Sequence, residues 1–401
     1  MTDKSDKALL PAGMSDVLAP DAAFEASVLD RLLADFSGHG YDRVEPPLIE
    51  FEESLLTGIG AGLAEQTFRL MDPVSQKMMG VRADMTPQVA RIASTRMINA
   101  PRPLRLSYAG QVLRVRGSQL RPERQFNQAG AELIGADGAA ADIEVIVMAA
   151  DALTRLGVTD LSCDLGLPTL VPDFCRGGPA GEGGDTDLQA RLRQALDRKD
   201  AAAVAELSEE LGEDTAGPLA AMLAAAGPAS QTLKTLGGLG LKGAALAGLE
   251  LLIDVVDRVQ AALPDLTMTI DPVENRGFEY HSGVTFTFFA KGVRGELGNG
   301  GRYLANGGNG GDSEAATGFT LFMDTVLRAV PAPELPSRIY LPAKTPVKDA
   351  ADLRSEGWIT VAGLEDATDT GGDEDAEAAR LGCSHVLDAG KARKLKKPNK
   401  E

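Results

Sequence analysis

The stretch RQFNQAGAELIG, residues 124–135, decides how the chain is read. In an extended chain every second side chain points the same way. Phe126, Gln128, Gly130, Glu132 and Ile134 therefore share one strand face. Gln128 and Glu132 flank a glycine without a side chain, which leaves a hollow about one residue wide, floored by backbone. A carboxylate in such a hollow suits a cationic or N–H-bearing ligand. Taken alone, the segment also fits a solvent-facing polar strip with a glycine bulge.

Outward from this strand, the chain alternates between β and α signals. DAAFEASVLDRLLADFSGHG opens with Phe24, Val28, Leu32 and Phe36 at every fourth position, an amphipathic helix that Gly40 closes. Short strand-like runs follow in RVEPPLIEF, TFRLM, KMMGVRA and PLRLSYAGQVLRV, with TPQVARIASTRMI predicted as a helix capped by Thr86 with Pro87 in its first turn. Strands that succeed one another with few helices between them predict an α+β fold, a mostly antiparallel sheet flanked by helices. Between about residues 176 and 264 the composition turns helix-rich, and this segment reads as a helical insertion into a core domain of residues 1–333. Residues 334–401 read as a small C-terminal α/β unit.

Three further segments hold chemistry. In VRADMTPQVAR, Asp84 precedes the helix at Thr86, and an acid beside helix amides could hold both ends of an amino acid or simply cap the helix. In ENRGFEYHSGVTF, Arg276, Phe278 and Tyr280 share one face, and Glu279 and His281 the other. An arginine followed by glycine can approach a carboxylate or phosphate with its fork, while a histidine there can equally be packed or superficial. The stretch GNGGRYLANGGNGG lacks a P-loop ending and is predicted to form turns between antiparallel strands.

Composition narrows the function classes. With a formal net charge of −18, the 401-residue chain repels nucleic acid at long range, although Lys391 to Lys400 form a basic run, predicted as a solvated tail. Cys163, Cys175 and Cys383 share no short spacing, so neither a disulfide framework nor a zinc site is expected. The N-terminus has no apolar signal region, and no run approaches the ~20 apolar residues that span a bilayer. A cytoplasmic location is the expectation, with no metal and no cofactor.

Taken in order, these segments resemble histidyl-tRNA synthetase, a class II aminoacyl-tRNA synthetase, from about Leu10 to Val330. LLPAGMSDVLAP resembles that family's opening, GYDRVEPPLIEF its dimer-building motif 1, LRVRGSQLRPERQFNQAGAELIG motif 2 and ATGFTLFMDTVLR motif 3. ENRGFEYHSGVTF is similar to a segment peculiar to the histidine enzymes. The resemblance implies a class II synthetase-like fold and a histidine pocket. Asp84 and Thr86 would take the amino group, and Gln128 and Glu132 would face the amino group and imidazole. Arg276 would face the carboxylate and the reacting centre, Arg114, the surviving motif 2 arginine, would belong to the histidine-binding set, and Tyr280 would complete it. His281 stands where the family has a second tyrosine.

The departures point away from the family's chemistry. Arg116 replaces an acid that contacts adenine, Phe322 a glycine that makes room for it, and Thr325 the motif 3 arginine that binds phosphate. Loss of one charged transition-state contact costs several kcal/mol, about three powers of ten in rate. No residue is therefore expected to be catalytic. The final segment does not match the family's larger anticodon-binding domain, so no tRNA partner is expected. This combination resembles the synthetase-like regulatory subunits of ATP phosphoribosyltransferase. The resemblance implies a short-form catalytic subunit as partner, feedback inhibition by L-histidine, and a homodimer within a hetero-oligomer. A divergent histidyl-tRNA synthetase or another amino-acid-activating ligase is the competing reading.

Overall fold

The computed structural model describes residues 10–119, 121–274, 280–305, 313–332, 336–364 and 373–395. The chain divides into two compact units, Met1–Pro331 and Ala332–Glu401. In the first unit the order begins α1 (Asp21–Gly38), β1 (Asp42–Arg43), β2 (Ile49–Phe51), α2 (Glu52–Leu55), β3 (Phe68–Met71), β4 (Met78–Val81) and α3 (Thr86–Thr95). It continues with β5 (Leu104–Leu113), β6 (Gln125–Ile134), α4 (Ala139–Arg155), β7 (Leu161–Gly166) and α5 (Leu170–Cys175). Next come α6 (Thr186–Asp197), α7 (Ala201–Glu206), α8 (Ser208–Leu211), α9 (Glu213–Ala224), β8 (Gly227–Pro228), α10 (Ala229–Gly237) and α11 (Gly243–Ala262). The unit closes with β9 (Thr267–Asp271), β10 (His281–Ala290), β11 (Gly298–Ala305), β12 (Glu314–Phe322) and α12 (Met323–Ala329).

Nine strands form one sheet in the order β1-β5-β6-β12-β11-β10-β7-β9-β8. Its pairings are antiparallel except β1 with β5 and β7 with β9. The fold class is therefore the expected one. Ala129, Ala131 and Leu133 of β6, Phe286 and Phe288 of β10, and Phe319 and Leu321 of β12 are buried in a single core. Val28, Leu32 and Phe36 of α1, spaced for one face of a 3.6-residue turn, belong to that core, as do the inner faces of α4 and α11. Gly40 takes a positive φ of 83° after the helix, the left-handed backbone that glycine adopts without penalty. The opposite face of the sheet carries the residues discussed below.

The insertion is not purely helical. Within it, β8 adds an edge strand to the large sheet through β9, and leucines of α6, α9 and α11 join the same core as β6 and β12. The glycine-rich segment differs from its expectation more sharply. Residues 298–305 are not turns but β11, flanked by β10 and β12 inside the sheet. The remaining glycines of that segment, 307–311, lie outside the described residues.

A second, three-stranded sheet has the order β2-β4-β3. Register places Ile49, Val81 and Phe68 in one row and Phe51, Met79 and Leu70 in the next row of the same face. All six are apolar, and all are exposed or half-buried. Glu50, on the other face, is buried against Arg91 of α3 in a two-pronged ion pair.

The second unit contains β13 (Arg338–Leu341), α13 (Val347–Ser355), β14 (Ile359–Ala362), α14 (Glu374–Arg380), β15 (His385–Asp388) and β16 (Lys391–Lys394). Its sheet runs β14-β13-β15-β16. Ile339 and Leu341 pack with Ala350 and Leu387 on one side, and Tyr340 and Val386 with Ala378 and Cys383 on the other. The start of the basic run is thus an edge strand rather than a tail, because β16 pairs with β15. Arg393 is held by Asp375 and Asp388. Lys396, Lys397 and Lys400 lie outside the described residues. No described helix is long and apolar enough to cross a membrane.

Candidate functional site

The free face of the large sheet is hollowed by glycines. Register sets Glu132 of β6 opposite Gly318 of β12, and Gly318 opposite Gly301 of β11. In the adjacent row Gly130 lies between Tyr108 of β5 and Thr320 of β12. Side chains are therefore missing at three neighbouring positions, and the polar groups around them lean inward. A Cβ at Gly318 would stand 1.9 Å from Glu132 Oε2, and one at Gly301 2.7 Å from His281 Cδ2. At Gly318 glycine is required by close approach, and at Gly301 by close approach together with a positive φ of 157°.

Gly130 itself is not an empty hollow. A Cβ there would lie 2.5 Å from the Tyr108 hydroxyl, so the phenol fills the space that the strand pattern suggested was open. The cavity lies beside it, a narrow pocket of about 40 Å³ lined by Asp84, Thr86, Glu132, Tyr280, His281, Asn299, Gly300, Gly301, Tyr303, Gly318, Phe319 and Thr320.

Glu132 is 1% exposed. Tyr303 donates to its Oε2 at 2.9 Å and Tyr108 to its Oε1 at 3.3 Å. Removal from water disfavours the charged form, and burial pushes its carboxyl up to about 8 despite the pull of the hydroxyls of Tyr303, Thr86 and Tyr108. Burial and the nearby Glu132 hold both tyrosines well above the usual phenol range.

In the same pocket, Asp84 accepts the Thr86 amide on Oδ1 (2.9 Å) and the Gln128 side-chain amide on Oδ2 (2.8 Å). Gln128, fully buried, turns its carbonyl to the Met85 amide at 3.2 Å. The N-terminus of α3 is therefore satisfied by Asp84 and Gln128, not by Thr86. Thr86 is the first helical residue and makes no side-chain cap, so its hydroxyl is left for the pocket, 3.1 Å from Tyr108. The expectation of Thr86 as the cap is corrected, and its place beside Asp84 stands.

Of the expected site residues, Asp84, Thr86, Glu132, Tyr280 and His281 line this pocket, and Gln128 supports it from behind through Asp84. Tyr280 is half-exposed, its ring tilted over His281 with centroids 4.0 Å apart. Arg276 lies outside the described residues. Arg114 stands at the end of β5, its Nε donating to the Ala83 carbonyl at 3.3 Å, and it faces a neighbouring cavity. The pattern reading missed Tyr303. Its signal was the tyrosine two residues after paired glycines in GGRY, hidden once that segment was taken for turns.

The neighbouring cavity, of about 960 Å³, is lined by Arg114, Arg116, Arg121, Glu123, Phe289 and Glu296 among others. Behind its wall the arginine and aromatic side chains are engaged with one another. The Arg121 guanidinium lies 3.7 Å from the Phe322 ring centroid, and Phe322 packs edge-on against Phe126 at 6.2 Å. Arg121 also pairs with buried Asp324 at 3.0 Å and with Glu296 at 3.6 Å. Thr325 is buried, and Arg328, further along α12, donates to its hydroxyl at 3.3 Å rather than lining the cavity.

The histidyl-tRNA synthetase family profile matches residues 13–326. The chain is 58% identical over 388 residues to the ATP phosphoribosyltransferase regulatory subunit of Paramagnetospirillum magneticum, covering 96% of this chain and 98% of that one. It is 54% identical to the protein of that name in Rhodospirillum centenum, with 97% and 96% covered. Among solved structures, an ATP phosphoribosyltransferase regulatory subunit/histidyl-tRNA synthetase from Bacillus halodurans superposes with a TM-score of 0.80 at 24% identity, covering 94% of this chain and 97% of that one. A histidyl-tRNA synthetase from Nostoc gives 0.75 at 16% identity, with 95% and 91% covered. At those identities the two structures establish the fold.

Proposed function

Because this chain belongs to the histidyl-tRNA synthetase-like family of ATP phosphoribosyltransferase regulatory subunits, we propose that it senses L-histidine for a short-form catalytic subunit, which it activates and places under feedback inhibition. It is a regulatory, not a catalytic, subunit. The observation that carries the sensing role is the pairing of two acids in one pocket. Asp84, anchored at a helix start, suits the ammonium group, and buried Glu132, ringed by hydroxyls, suits the imidazole. From the family resemblance, Arg276 serves the carboxylate. The space of about 40 Å³ is far below the ~300 Å³ at which ligand pockets begin, so histidine enters as the half-exposed Tyr280 ring moves outward. Binding one state of the complex more tightly by about 1–3 kcal/mol is enough to give such control.

The apolar face of β2, β3 and β4 supports a homodimer at the centre of the hetero-oligomer, since six neighbouring apolar side chains on a sheet face are costly to leave wet. The deciding experiment mixes this chain with the short catalytic subunit from the same cell and follows phosphoribosyl-ATP formation. Activity that requires this chain and falls when histidine is added is the expected result. Activity indifferent to this chain would refute the assignment.

A further inference from the structure

Among the described residues the groups that hydrogen-bond Glu132 are uncharged hydroxyls. Its oxygens meet the hydroxyls of Tyr303 from β11 and Tyr108 from β5. The ionisable groups that face it are Asp84 ahead of α3, Tyr280 and His281 at the start of β10, and Tyr41 from behind the sheet. Among the described residues no lysine or arginine makes an ion pair or hydrogen bond with it; Arg114 lies beyond Asp84 and donates to Ala83. A carboxylate removed from water, hydrogen-bonded by phenols and facing a second acid, is favoured to keep its proton.

We infer that the bound imidazole and Glu132 together hold one shared proton between a carboxylate oxygen and a ring nitrogen, so that histidine binds near neutral pH without net release or uptake of protons. This rests on the proposed histidine reading and adds to it a statement about protonation. The balance is simple. Near neutrality free Glu132 carries a proton and free imidazole does not, and the pair keeps that one. In more acid solution both partners are protonated, and binding must expel one proton. In alkaline solution neither is, and binding must take one from the solvent. Two groups this close titrate as a unit, not separately. A pocket without the geometry of Glu132, such as one with a solvated carboxylate, would instead expel no proton near pH 5.5 and bind imidazolium best there.

Titration calorimetry of histidine into the full-length protein, in paired buffers of different ionisation heat, counts these protons. The expected counts are about one released per site at about pH 5.5, close to none at about pH 7.2, and uptake at about pH 9. Affinity should be flat between about pH 6.5, where free imidazole titrates, and about pH 8, where Glu132 does, and weaken about tenfold per unit outside. The ligand's own ammonium also titrates on the alkaline side, so the diagnostic quantity is the uptake at about pH 9 in excess of that shown by Glu132→Gln. Should that variant bind too weakly, triazolylalanine, whose ring is not protonated at about pH 5.5, should bind the native protein there without release. One proton released or taken up at about pH 7.2 overturns the inference while leaving histidine binding intact. No histidine binding at any pH overturns both.

Discussion

Gly318 and Phe322 lie on one face of β12, and the strand serves opposite ends at the two positions. At Gly318 the strand is bare, and the Glu132 carboxylate lies where a side chain would be. At Phe322 it carries a ring clasped between Phe126 and the Arg121 guanidinium. The first end keeps a small polar pocket. The second has spent its arginine and its aromatic rings on one another and on Asp324. The contrast teaches that two ends of one strand can be edited separately, because each is fixed by side chains a few residues apart rather than by the fold.

The largest effect should come from the clasped end. Arg121→Ala strips the counterion from buried Asp324, and a stranded buried charge costs about 3–5 kcal/mol. Chemical denaturation should show that loss, smaller at about pH 5 than at about pH 8. Burial already raises the Asp324 carboxyl and Arg121 lowers it, so without the arginine it protonates more readily. Histidine affinity of the folded fraction should stay within about twofold, and a larger drop would mean the two ends are not separable.

Gly318→Ala tests the bare end. With Glu132 Oε2 1.9 Å from the added carbon, histidine binding should weaken more than about 100-fold, or ~2.7 kcal/mol. Binding within tenfold of native would place the ligand elsewhere. Tyr303→Phe removes one hydroxyl from the same carboxylate, a hydrogen bond of about 0.5–1.5 kcal/mol, and should weaken histidine about threefold to tenfold in the same assay. Thr325→Arg should do least. Restoring the arginine alone leaves Phe322 clasped, so histidine-dependent ATP–pyrophosphate exchange should stay at background. Robust exchange, in that variant or the native chain, would collapse the contrast.

Much of the sheet was legible because burial on one face leaves period-two and period-3.6 marks, as in residues 124–135 and in α1. Glu132 and Gln128 could be named because polar residues in apolar strands are conspicuous, and Asp84 because it precedes a helix start. What stayed hidden depended on neighbours far along the chain. Tyr108, 22 residues before Gly130, turns out to fill the space beside it. Residues 298–305 have the composition of a loop, since glycine weakens strands, yet this strand is glycine-rich where Phe286, His281 and Thr285 press against it from β10. Thr86 looked like a helix cap because threonine prefers that role, and only the structure reveals that Asp84 and Gln128 had taken it. The clasp of Arg121 on Phe322 joins residues 201 apart and leaves no periodic trace.

Two of the glycines also set how this protein can change over generations. A pocket cut out by absent atoms at Gly301 and Gly318 has nothing left to shrink at those positions. Every substitution there adds bulk, so it can abolish the site but cannot enlarge it. Enlargement would have to begin on the tyrosines and on His281, whose side chains can be trimmed. The pocket is thus guarded less by what these positions contribute than by their having nothing further to lose.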